Sequence, residues 1–176
     1  MSKIIKLLSG GKITSIGSAD EVIEMIKENP KVLGEVFPLF LDQDPVVAMR
    51  SSYVFMKLSK SDRDLILPFK SLIINNLGKY IQKEVRWHIP QILLVMDLSD
   101  QEKEKSYNTL MNWAEGKDGN IVVYYSLEAA FNIAKGNHSL LANFIPRLKK
   151  INKTDAKIVK NRCKKIAAIL NVKLDE

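Results

Sequence analysis

Cysteine is almost missing from this chain, with one in 176 residues, histidine occurs twice, and no apolar run exceeds the five residues 92–96. A single cysteine, Cys163, excludes an internal disulfide and any cysteine-rich metal centre. The histidines, His88 and His138, stand fifty residues apart with no HxxxH or HExxH pattern, so no metal site and no cofactor is expected. Apolar runs this short cannot supply the roughly 18 residues of a membrane span. The start, residues 1–8, sets Lys3 and Lys6 among four large apolar residues, too few for a signal-peptide core, and a cytoplasmic location is expected.

The bulk composition, 46% hydrophobic and 27% charged, is that of an ordinary soluble globular protein. Its length suits one domain, expected over residues 19–176 after an N-terminal segment and linker over 1–18. Charge is unevenly placed. Residues 1–138 carry 17 basic and 17 acidic side chains, whereas residues 139–176 carry 10 and 3 and so hold the whole net charge of +7.

What is present is a period. Met49-Arg50, Val85-Arg86, Val123-Tyr124 and Val159-Lys160 pair an apolar residue with a long polar or basic one, at spacings of 36, 38 and 36 residues. The residues four and seven after each anchor are also mostly apolar: Tyr53 and Met56, Ile89 and Ile92, Leu127 and Ala130, Cys163 and Ile166. Offsets of 0, 4 and 7 share one helical face, so each anchor opens an amphipathic helix. A second apolar stretch precedes each one, at residues 36–41, 65–77, 107–113 and 140–148. Two helices per 35 to 40 residues is the spacing of a stacked helical-pair repeat.

With Pro38, Pro68 and Pro146 in the first helices, Asp44 in a turn, and Met49-Arg50 beginning a second helix, the chain resembles the HEAT repeat family over most of its length. The later units depart from that pattern. Tyr80 stands where the turn aspartate belongs, Asp118 is followed by Tyr124 in place of arginine, and Lys160 has Thr154 before it. The resemblance implies an all-α fold, a right-handed superhelix of about four helical pairs. It also implies that Arg50 and Arg86 bridge to turn aspartates, and that the second helices line a concave binding face.

Helix signals fix the elements. Ser18 with Glu21 reads as a capping box for a helix over 19–28. Helices are then expected over 31–41, from Pro45 onward, over 64–77, 82–98, 99–115, 121–135, 139–151 and 154–171. Residues 10–18, rich in glycine and serine, read as a turn or flexible connection. Residues 120–127 (NIVVYYSL) have the composition of a strand, but Glu128-Ala129-Ala130 and the repeat register favour helix.

No catalytic constellation is legible. Asp42 with Asp44, and Asp62 with Asp64, sit at helix starts, where carboxylates cap free amides. The outer face of the second helices, two, five and nine residues after each anchor, is a candidate binding surface. It includes Trp87 and Tyr125, next to Arg50, Arg86 and Tyr124; these aromatics are equally suited to packing between repeats. At the basic end Lys153, Lys157, Lys160 and Lys164 form one stripe if the last helix reaches back that far, suited to phosphates or to a solvated cap. The alkylpurine DNA glycosylases, an enzyme branch of the HEAT-like class, place an aspartate one turn after a tryptophan, but here Gln91 follows Trp87 and Lys117 follows Trp113. The expectation is therefore a non-catalytic solenoid that binds a protein or peptide partner on its concave face. A nucleic-acid binder using the C-terminal lysines is the alternative, and a glycosylase the third reading.

Overall fold

The computed structural model describes residues 2–174; Met1 of the expected N-terminal segment, and Asp175 and Glu176 of the expected solenoid, lie outside them. All regular structure among the described residues is helical, so the fold is all-α. The chain divides into two compact units, Met1–Met96 and Asp97–Glu176.

The first unit contains α1 (Lys3–Leu8), α2 (Ala19–Glu28), α3 (Leu33–Val36), α4 (Pro45–Ser61), α5 (Arg63–Ile66), α6 (Lys70–Asn75) and α7 (Lys83–Leu93). Its centre is α4, which packs against α1, α2, α5, α7 and the 3-10 turn Phe37–Leu41. Asp44 caps α4 by accepting from the Val46 amide at 2.8 Å, and Pro45 needs no donor at the first helical position. Neighbours on so many sides leave α4 buried nearly all round. The outer-face row expected from the sequence is correspondingly sealed there, with Ser51, Val54 and Leu58 all at 0% exposure.

In the second unit α8 (Asp100–Ala114) pairs with α9 (Asn120–Ala134), and α10 (His138–Asn152) with α11 (Lys157–Leu170). The first helices of the two pairs touch, as do the second helices. The β-branched run 120–127 is helical as expected, because Val122, Ser126, Leu127, Ala130, Phe131 and Ala134 form one buried stripe at helical spacing. Packing here outweighs local propensity.

Of the twelve anchor-face residues all are buried except Tyr53 and Val123, which are half-buried. Other expectations are corrected. Ser18 starts α2 but makes no side-chain cap, its backbone lying outside the extended region that capping requires. The capping box forms instead at Ser99 and Glu102, with both reciprocal bonds in place. The helices expected over 31–41 and 64–77 are broken into α and 3-10 pieces around Pro30, Pro38 and Pro68. A proline ring supplies no amide and crowds the preceding turn. Within α7, Pro90 is accommodated, but the helix stops at Leu93, short of the expected residue 98.

Candidate functional site

In the second unit the outer faces of α9 and α11 form a groove of about 400 Å³, lined by Ile121, Tyr124, Tyr125, Ile158, Asn161, Arg162 and Lys165. Ile121 and Ile158 are 41% and 45% exposed, high for isoleucine. Tyr124 and Tyr125 are half-buried and meet edge to face, with ring centroids 5.2 Å apart. The Arg162 guanidinium lies 5.7 Å from the Tyr124 ring centre and pairs with Glu128, while its Nε is buried without an acceptor. The groove thus combines apolar walls, aromatic rings and two cations, one with a donor unspent.

The sequence singled out Tyr124 and Tyr125 and placed Asn161 on the same outer-face row, but not the other lining residues of α11. Ile158, Arg162 and Lys165 follow i, i+4, i+7 spacing, a signal masked by the lysines around them. Trp87, in the first unit, is half-buried, and its ring meets His88 edge-on at 5.5 Å.

Arg50 is not a surface residue. It is 2% exposed, and its guanidinium donates to the carbonyls of Leu8 and Ser9 at 3.0 Å, Ser15 at 2.9 Å and Lys12 at 3.5 Å. Its donors go to these backbone carbonyls and not to the turn aspartate Asp44, whose carboxylate accepts from the Val46 amide. Residues 9–18 are therefore no loose linker but a loop folded around a buried cation. Arg86, half-buried, donates from Nε to the Tyr80 carbonyl at 2.7 Å.

The lysines do not form one stripe. Because α11 begins at Lys157, Lys153 belongs to the preceding turn, where Thr154 spends its side chain on the Ala156 amide. Lys153 lines a depression of about 430 Å³ with Lys117, Lys150 and Glu115. Arg147 binds Glu115 through two bonds, at 2.9 and 3.1 Å, and holds its carboxyl below the usual range. Lys160 and Lys164 line a separate pocket with Asn152, and Lys157 is exposed outside all three.

One polar pair was not anticipated. Ser52 Oγ and His88 Nδ1 lie 2.9 Å apart between α4 and α7, and Ser52 also donates to the Met49 carbonyl at 2.9 Å. Ser52 has 0% exposure, so the pair ties helices together and offers no reachable nucleophile. Burial, with the Lys60 charge adding to it, pulls the His88 pKa down to about 3. Burial likewise pushes the Cys163 thiol up to about 11, which leaves it little thiolate character.

Comparison with protein-family models, curated proteins and solved structures finds no match. The likeness to the HEAT repeat family rests on residue spacing alone.

Proposed function

We propose that this chain is a non-catalytic binding module that docks a protein segment in the α9–α11 groove, and that the segment sets a carboxylate beside an apolar side chain. The observation that carries the reading is the placement of two exposed isoleucines around Arg162 and Lys165 in one concavity. Exposed apolar walls gain by being covered, and a carboxylate on the segment would pair with the Arg162 and Lys165 cations that line the groove. Charge selects among occupants. A second copy would bring another +7 to a basic surface, whereas an acidic segment is drawn to it.

The same features disfavour a nucleic-acid strand. Tyr124 already carries a guanidinium over its ring, and Tyr125 presses against Tyr124, so neither is a bare platform for base stacking. The lysines are spread over separate concavities and do not track one backbone.

Selection from a displayed random-peptide library tests the reading. Enrichment of sequences pairing Asp or Glu with Leu, Ile or Phe is expected on the wild-type protein and should vanish on the Arg162→Gln, Lys165→Gln double variant. Enrichment of basic peptides, or equal enrichment on the variant, contradicts it. Tyr125→Ala should weaken the selected peptide about tenfold, within the range for an aromatic anchor in an interface.

A further inference from the structure

A second concavity stands apart from the peptide groove. The end of α10, the face of α11 around Lys160 and Lys164, and residues 172–174 enclose a pocket of about 530 Å³. Asn152, the last residue of α10, lines it at only 5% exposure, and its Oδ1 has no hydrogen-bond partner. A buried acceptor left unpaired costs stability, and most such groups in native proteins are matched by protein, water or ligand. Lys160 and Lys164, one helical turn apart, bring two ammonium groups to the same pocket, and no ion pair engages either among the described residues. Ala167 and Ala168 contribute only methyl groups, and Val172 and Leu174 complete an apolar wall. Asn171, in the left-handed conformation at φ 53°, turns the chain so that these two residues fold back over α11.

The three polar groups make different demands. Two lysines call for an anion, and an amide oxygen calls for a donor, so a bare oxyanion satisfies only part of the site. The apolar wall adds room for a carbon skeleton. We infer that this pocket binds a small hydroxylated phosphomonoester of the sugar-phosphate class, with its phosphate on Lys160 and Lys164 and a hydroxyl donating to Asn152 Oδ1. That oxygen is buried, so binding requires the side chains around it to move. Inorganic phosphate, which keeps one P–OH at neutral pH, meets both polar demands without the skeleton. Sulfate meets only the charge.

That difference supplies the test. Amide chemical shifts of the full chain are followed at low ionic strength while ribose 5-phosphate, inorganic phosphate and sulfate are titrated in turn. Saturable shifts confined to Asn152, Lys160, Lys164 and residues 172–174 are expected, with ribose 5-phosphate binding tightest and sulfate weakest. The step from phosphate to sulfate should be roughly fivefold or more, the scale of one buried hydrogen bond. Lys160→Gln with Lys164→Gln, both at exposed positions, should abolish the shifts, and Asn152→Ala should erase the preference for phosphate over sulfate. If Asn152→Ala fails to fold, the sulfate comparison on the wild type still decides. Equal binding of sulfate and phosphate, shifts scattered over all the lysines, or an undiminished response in the double lysine variant would each overturn the inference. A response to phosphate undiminished beside that to ribose 5-phosphate would remove the sugar and leave a phosphate site.

Discussion

Ser52 and His88 show how one buried pair makes stability depend on pH. The imidazole is neutral in the folded chain down to about pH 3 but titrates near 6.5 when exposed. Above 6.5 neither state binds the proton, and the pair contributes its full share. Below 6.5 the unfolded chain takes up a proton that the folded chain refuses, so stability falls with pH until about pH 3. Between pH 6.5 and 5 the wild type should lose about 1.6 kcal/mol relative to His88→Gln, as judged by urea unfolding at each pH. Parallel curves for the two proteins would show that His88 is not the group responsible. Ser52 and His88 stand at the same offset from anchors one period apart, but neither residue type by itself signals that the two will pair. Arg50 was marked, but with the wrong partner: a carbonyl acceptor leaves no signature in residue identity, whereas an aspartate does. The anchor-face apolar residues were legible because burial along a helix repeats with the period of the helix itself.

Elements were readable where their ends carry side-chain chemistry and less so where proline intervenes. Asp44 and Ser99 mark their helices because an oxygen at the N-cap has one job. Proline marks a disturbance without saying what shape follows, and the first helices of the early pairs accordingly break into 3-10 pieces. The loop over residues 9–18 is the sharpest departure from its sequence reading. Composition suggested flexibility, yet Arg50 gathers three of its carbonyls and that of Leu8 at the end of α1, and Gly17, at φ +53°, lies so close that a Cβ would come within 2.6 Å of the guanidinium. That guanidinium cannot swing away without giving up its hydrogen bonds. Gly17→Ala should therefore cost roughly 2–4 kcal/mol in urea unfolding, combining left-handed strain with lost charged hydrogen bonds. Gly10→Ala is the control: φ there is +73°, but the added Cβ meets nothing within 4 Å, so only the strain should appear. Equal losses at the two glycines would mean that the close approach to Arg50 carries no weight.

At the scale of the whole molecule, all-α architecture and the pairing of helices were legible from the 36-to-38-residue period, but the division into units at residue 96 was not. Exposure was the harder quantity to read. Along the expected outer-face row, α4 is sealed, Trp87 and Tyr125 are half-buried, and Asn161, Lys164 and Ala168 on α11 are exposed. Each second helix has the same register but different neighbours, and one-dimensional spacing does not record neighbours. The proposed peptide groove lies where this row opens, and its cations come from the segment that holds the net charge. The most direct test is an amide-shift map of the full chain titrated with the peptide consensus selected by display. Binding in the α9–α11 groove predicts shifts that cluster at Ile121, Tyr124, Tyr125, Ile158, Arg162 and Lys165, weaken as salt rises from about 50 to 200 mM, and leave α1–α6 unmoved. Saturable shifts centred elsewhere, or a map unchanged in the Arg162→Gln, Lys165→Gln variant, would contradict it.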